Sequence, residues 1–154
     1  DIMTGYGAIA FSIDRELPKG KSVSFYSAVG AGGPIGIGLC LSLLRKTKVI
    51  ISQTEGFDAF ILSLNSSNNA IFVNTTETVS DISDGIAVDK PEEYALNIAK
   101  KIVTKGIKVN IEEVIDLVNK TKLGNSSCIA LSGINKIKSI NSDYIVVLDC
   151  EGNS

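Results

Sequence analysis

The chain has 154 residues, with 15 Lys and Arg against 17 Asp and Glu, no His, no Trp and a formal net charge of −2. That length suffices for one domain with a buried core, and 44% hydrophobic with 21% charged residues is a globular rather than a disordered composition. The balanced charge argues against nucleic-acid binding, no apolar run reaches the roughly 20 residues of a membrane span, and the lack of His removes the commonest general base and metal ligand.

Three widely spaced cysteines, Cys40, Cys128 and Cys150, form neither a disulfide framework nor a zinc site. With no signal-peptide pattern at the start, a reducing, cytoplasmic setting is expected. On that expectation the Asn-x-Ser/Thr triplets at Asn65, Asn74, Asn119 and Asn125 carry no weight. A first residue of Asp1 rather than Met suggests part of something longer.

In chain order, residues 4–17 place Ile9, Ala10, Ile13 and Leu17 at helical spacing, and Pro18-Lys19-Gly20 ends the run. Residues 22–29, β-branched and aromatic, predict a strand. Gly30-Ala31-Gly32-Gly33 predicts a tight turn, and Pro34 suits the first position of an apolar helix. Residues 48–52 predict a second strand, 57–65 a short helix, 70–74 an edge or connecting strand, and Thr75 to Asp84 a long loop. Pro91-Glu92-Glu93 opens a helix to about Val103, and Lys108-Val109 a short strand. Asn110 with Glu113 reads as a capping box, and Asn125 or Ser126 as the cap of a helix to about Lys136. Tyr144–Leu148 is a continuous apolar run of the kind buried on both faces. The alternation predicts an α/β fold with a mostly parallel β-sheet flanked by helices, residues 1–154 forming one domain or one lobe of a larger one.

The strand–GAGG–helix unit leaves bare N–H groups next to a positive helix end, which suits an anion, most often phosphate. It is not Walker A, since Gly-Lys-Ser/Thr is missing. It is not G-x-G-x-x-G, since Gly30, Gly32 and Gly36 lie at offsets 0, 2 and 6. On local pattern alone, a phosphate cradle and a plain packing turn stand even.

Further segments extend the pattern. Thr4-Gly5-Tyr6-Gly7 with its helix is similar to a G-Q-x-T-I-x-x-E-I segment, and Val29–Gly38 to a V-G-x-G-G loop. Val49–Phe60 resembles V-Q-A-E-G-x-x-P, Thr78–Leu96 resembles T-I-A-D-G-I-A-V-x-x-P, Gly124–Ile134 resembles E-P-S-S-A-A-A-L, and Val146–Ser154 resembles V-V-x-x-S/C/T-G-G-N. Taken in order, they resemble the C-terminal half of the catalytic fold of the fold-type II pyridoxal-phosphate enzymes, in particular threonine synthase and threonine/serine dehydratase. Asp84-Gly85-Ile86-Ala87-Val88 is the most particular of the matches.

The resemblance implies that Gly30, Ala31, Gly32 and Gly33 donate backbone N–H bonds to the phosphate of pyridoxal phosphate. It also implies that Cys150 faces the pyridine nitrogen. Without the resemblance, Cys150 reads as a small buried filler. A β-carbon at Gly32 is expected either to clash with the anion or to forbid a positive φ. The family's Schiff-base lysine, in an S-F-K-x-R context, and its Asn facing the phenolic oxygen belong to the half not represented, so no catalytic residue is expected in this chain.

Gly124 stands where many members carry an acid, Glu151 where the closing motif has Gly, and Asp149 adds a charge nearby. The expected function is the cofactor-holding part of a lyase that performs elimination or replacement on a hydroxy-amino acid or its phosphate ester. The alternative is a non-catalytic remnant that binds an anion or a partner. The expected partners are the N-terminal half of the fold or a partner chain, a small amino-acid substrate and further copies in a homo-oligomer, with no nucleic acid and no membrane. An open sheet edge at the lobe boundary should drive self-association or recruit a partner that completes the sheet.

The remaining features read plainly. Asp81 and Asp84 lack a third metal ligand, so no metal is expected. Glu92, Glu93, Glu112 and Glu113 are helix-start acids, and Lys100, Lys101, Lys105 and Lys108 a solvated face. Tyr6 and Tyr26 fit core or rim packing better than ligand contact.

Overall fold

Four parallel strands in the order β3-β2-β1-β4 form the frame of the protein, in a computed structural model that describes residues 2–67, 70–75, 81–137 and 141–149. The elements are α1 (Ile2–Glu16), β1 (Val23–Ala28), α2 (Gly33–Leu44), β2 (Thr47–Thr54), α3 (Ala59–Asn65), a 3-10 turn (Asp84–Ile86), α4 (Glu93–Ile102), β3 (Val103–Val109), α5 (Ile111–Lys120), α6 (Asn125–Asn135) and β4 (Tyr144–Val147). The fold is therefore the expected α/β architecture. Among the described residues no helix is long and apolar enough to cross a membrane.

Strand periodicity sorts the core into two layers. On one face Val23, Phe25, Val49 and Ile51 pack with Ile35, Ile37 and Leu41 of α2, Ala10 of α1, and Ala95, Leu96 and Ala99 of α4. On the other, Tyr26, Ala28, Ile50, Ile107 and Val109 pack with Val114 of α5 and Cys128, Ile129 and Ala130 of α6. β1 is buried along its whole length, which explains why it reads as an unbroken β-branched and aromatic run. The Arg45 guanidinium, nearly buried, joins the two outer helices. It meets Asp14 Oδ1 at 2.6 Å and also donates to the carbonyls of Asp14, Pro18 and Lys21.

The chain walks outward from β1 through β2 to β3, then returns over the opposite face through α5 and α6 to lay β4 on the other side of β1. Such a reversal leaves a crevice at the carboxyl ends of the two neighbouring strands, the usual ligand position in open α/β sheets.

Several expectations need correction. Residues 70–74 are not a strand. Their polar groups are used elsewhere: the Ile71 N–H donates to Ser63 Oγ at 2.7 Å and the Val73 N–H to the Asp89 carbonyl at 2.7 Å. β3 begins at Val103, five residues before the expected Lys108; Lys105 and Gly106 break the apolar alternation that would mark its first half in the sequence. Asn110 does cap α5, accepting from the Glu112 N–H at 2.8 Å, but Glu113 pairs with Lys136 at 3.4 Å. The cap of α6 is Gly124, not Asn125 or Ser126, and it makes no side-chain cap bond. β4 is an edge strand and not buried on both faces: Tyr144 is 38% and Ile145 57% exposed. Of the loop expected at 75–84, residues 76–80 lie outside the described residues.

The start of β4 is tied to β1 by the Asp143 carboxylate, which accepts from the Ser22 N–H at 2.8 Å and the Ser22 hydroxyl at 2.9 Å. These bonds, the backbone one foremost, hold the Asp143 carboxyl below its ordinary 3.8. A carboxyl depressed in the folded state stabilises above its unfolded value, and that stability is lost as pH falls through the folded value. Urea unfolding at a series of pH values should therefore show stability declining below about pH 3.8. Asp143→Asn should be less stable at neutral pH and flatter in this acid limb. Parallel pH curves for the two proteins would contradict the assignment.

Candidate functional site

At the carboxyl end of β1 the chain must turn sharply into α2, and Gly30–Gly33 does this with almost no side chain. Val29 leaves the strand with its N–H donating to the Ser52 carbonyl at 3.1 Å. Helix α2 then starts with Gly32 as cap and Pro34 in its first turn, and its first internal bond runs from the Gly36 N–H to the Gly32 carbonyl at 3.0 Å. Gly32 adopts φ −75° and ψ −10°, right-handed helical geometry, so of the two alternatives the positive φ does not apply and the clash with an anion is the one left. Glycine here leaves space rather than relieving backbone strain. Among the described residues, the N–H groups of Gly30, Ala31, Gly32 and Gly33 donate to no protein acceptor, although Gly30, Gly32 and Gly33 are buried. Bare N–H groups under cover are rare unless a ligand or water meets them.

Two neighbours approach this turn closely, one against backbone and one against a side chain. A Cβ on Gly30 would lie 2.9 Å from Ile86 Cα, so the Asp84–Ile86 turn rests backbone to backbone on the loop. A Cβ on Gly33 would lie 3.1 Å from the Tyr6 ring, which leans from α1 over the start of α2.

The turn and the loop are held by two buried polar residues at the end of β2. The Gln53 side chain donates to the Val29 carbonyl at 2.8 Å and accepts from the Ile61 N–H at 3.0 Å. The Thr54 and Ser83 hydroxyls share a bond of 2.6 Å, which pins the residue just before the 3-10 turn. No motif in the sequence gives Gln53 or Thr54 a role of its own. Their signal was two polar residues closing an otherwise apolar strand.

Between these parts lies a cleft of about 210 Å³ lined by Tyr6, Ser27, Ala28, Gly30, Ala31, Gly33, Pro34, Gly85, Ile86, Ser126 and Leu148. Five segments quoted from the sequence thus converge at one crevice, where β1 and β4 end. Tyr6, 39% exposed, borders the cleft. Tyr26 belongs to the core, where burial raises its phenol above the ordinary value. Among the described residues the cleft lining includes no Lys, Arg, Asp or Glu, and its polarity comes from backbone N–H groups, serine hydroxyls and the tyrosine. Beside it, the buried Ser127 hydroxyl donates to the Asp149 carboxylate, anchoring the end of β4 to the first turn of α6. Cys150 and Glu151 lie outside the described residues. Among the described residues no group of His, Cys, Asp or Glu could hold a metal ion.

A wider concavity of about 550 Å³ lies around Ala70, Lys90, Pro91, Glu93, Leu96, Asn97 and Lys100. It is rimmed by charged side chains, and none of the expected site residues lines it.

No family model matches the chain. It is 33% identical over 119 residues to the L-threonine ammonia-lyase of Thermotoga maritima, a match covering 76% of this chain and 28% of that protein. The processed form of threonine deaminase isoform 2 from Solanum lycopersicum superposes with a TM-score of 0.72 at 23% identity, over 93% of this chain and 43% of that one. A pyridoxal 5′-phosphate-dependent aspartate racemase superposes with a TM-score of 0.74 at 17% identity, over 99% and 49%. The chain therefore spans about half the length of these solved structures and less of the curated relative.

Because the Gly30 contact is with backbone, it cannot be relieved by a side-chain rotation. Gly30→Ala should lower stability by about 1–3 kcal/mol through overpacking, measured by urea unfolding, whereas Ala31→Ser, on the exposed side of the loop, should change it by less than about 0.5 kcal/mol. Equal stability of Gly30→Ala and the parent would show that the turn does not rest on the loop. In sequence the chain is similar to an L-threonine ammonia-lyase over 28% of that protein's length, and in fold it resembles the C-terminal lobe of the fold-type II pyridoxal-phosphate enzymes.

Proposed function

We propose that this chain is the cofactor-phosphate-holding half of a pyridoxal-phosphate-dependent enzyme that performs elimination or replacement on a hydroxy-amino acid or its phosphate ester. The observation that carries the reading is the set of four backbone N–H groups, Gly30 to Gly33, without an acceptor among the described residues at the head of α2. A phosphate supplies acceptor oxygens for these donors, and the helix end adds favourable potential. The fit to the cofactor is one of shape and polarity. The loop admits an anion close to the backbone, while Ala28, Ile86, Pro34 and Leu148 offer an apolar wall to a flat ring.

Pyridoxal phosphate, when bound, supplies an electron sink for reactions at the carbons of an amino acid. This chain's part is to bind and orient. Gly30 to Gly33 hold the phosphate, Gln53 and Thr54 keep the loop and its covering turn in register, and Tyr6 limits the width of the mouth. Cys150, three residues past the end of β4 in sequence, is assigned to the ring nitrogen. A thiol there does not hold that nitrogen protonated as a carboxylate would. The lysine that carries the cofactor covalently is assigned to the other half of the fold, as are most substrate contacts. The threonine ammonia-lyase relative favours elimination from a hydroxy-amino acid, and the threonine synthase resemblance makes replacement on a phosphate ester the second reaction.

Equilibrium titration with pyridoxal phosphate, and separately with inorganic phosphate, tests the loop. Gly32→Val places a branched side chain among the donors. Since each charge-assisted bond lost costs about 1.5–3 kcal/mol, binding should weaken by at least about tenfold, while Cys150→Ser should change it little. Borohydride should trap no lysine adduct in the isolated chain. Equal binding by the parent and Gly32→Val would reduce the loop to a packing turn. A borohydride-trapped lysine would place the covalent attachment in this half instead.

A further inference from the structure

The Asp84–Ile86 turn lies on Gly30, and its upstream side is pinned where Ser83 bonds Thr54. Its downstream side has a second fastening. Three residues past Ile86, the Asp89 carboxylate accepts from the Thr75 N–H at 2.9 Å and from the Thr75 hydroxyl at 2.5 Å. The Asp89 carbonyl accepts from the Val73 N–H at 2.7 Å, so one residue grips the 73–75 segment with both its main chain and its side chain. Thr75, its hydroxyl foremost, holds the Asp89 carboxyl below its ordinary 3.8, as expected of a carboxylate engaged as an acceptor.

The far side of this clasp is anchored as well. The Ile71 N–H donates to Ser63 Oγ, and the buried Ser63 hydroxyl donates to the Ala59 carbonyl at 2.6 Å within α3. α3 is joined through the Ile61 N–H to Gln53, and Gln53 reaches the Val29 carbonyl, next to Gly30. The contacts close a ring: Val29, Gln53, α3, residues 71–75, Asp89 and Ile86, which lies against Gly30. Three residues of backbone span at most about 11 Å, so fixing Asp89 confines Ile86.

We propose that Asp89 is a positioning residue for the Gly30–Gly33 loop: its carboxylate clasps Thr75 and thereby seats the Asp84–Ile86 turn on Gly30. The inference rests on reading that loop as the phosphate holder. Asp89 does not line the cleft and acts through the backbone of residues 86–89. Its acceptor oxygen matters here and its charge does not. A negative charge near an anion site opposes binding, so an effect of charge alone would make loss of Asp89 tighten phosphate. The clasp predicts the opposite sign.

Titration of the ¹⁵N-labelled 154-residue chain with inorganic phosphate, followed by amide shifts, tests this. Asp89→Ala should weaken phosphate by about three- to tenfold and, before phosphate is added, should move the Gly30, Gly85 and Ile86 amides. Asp89→Asn loses the same charge but keeps the oxygen that Thr75 needs, and should stay within about twofold of the parent. Asp116→Ala, which removes an exposed carboxylate paired with Lys120, is the control and should leave both readouts unchanged. Urea unfolding checks that each variant is folded, and Thr75→Val, which removes the hydroxyl, repeats the test in the same direction if Asp89→Ala does not fold. A clasp that serves stability alone would lower the urea midpoint and leave phosphate affinity and the loop amides at the parent's values, which would overturn the inference. Equal weakening by Asp89→Ala and Asp89→Asn would overturn it too. If the parent binds phosphate at the loop and Asp89→Ala binds it equally, the clasp fails and the functional reading stands. If the parent binds no phosphate, the functional reading fails, and the phosphate-free shifts at Gly30, Gly85 and Ile86 decide the clasp by themselves.

Discussion

The close approach of the Gly30 backbone to the Ile86 backbone governs the site. A turn with no side chain at Gly30 lets the Asp84–Ile86 segment lie directly on it, and the cleft forms beside that contact. The arrangement needs fixed neighbours. Gln53 supplies them by bonding the Val29 carbonyl and the Ile61 N–H, and Thr54 by bonding Ser83. The end of β2 thus sets the geometry of a loop that follows β1. The four N–H groups left without acceptors follow from the same geometry, since a loop folded on itself would have used them.

The sheet explains why the site lies where it does. β1 is the most deeply buried strand, and the chain's reversal around it brings β4 alongside. Residues far apart in sequence, from Tyr6 to Leu148, then meet at one end of two parallel strands. Arg45 and the Ser22–Asp143 bonds, side by side at the amino end of β1, hold α1 and the edge strand to this frame.

Much of this was legible in the residues. β1, α2 and β2 read clearly because burial on both sides selects unbroken apolar runs, and the glycine loop read because its small residues permit little else. β3 was nearly hidden because Lys105, Gly106 and Lys108 replace its alternation, a property of edge strands. The run at 70–74 looked like a strand on composition, yet its N–H groups bond Ser63 and Asp89 instead of a ladder. The helical φ of Gly32 could not be read, since glycine is compatible with either sign. Gln53 and Thr54 went without a role because hydrogen bonds to a distant backbone leave no local period. Cys150 lies outside the described residues, so its part rests on its place in the closing motif.

The central claim is that Gly30 to Gly33 form an anion cradle that acts through its backbone. Titrating the uniformly ¹⁵N-labelled chain with inorganic phosphate, followed by amide chemical shifts, tests it most directly. The account predicts saturable shifts at Gly30, Ala31, Gly32 and Gly33, with smaller changes at Gly85 and Ile86, and none around Lys90 and Lys100. Shifts confined to the lysine-rimmed concavity, or none at the loop, would contradict it.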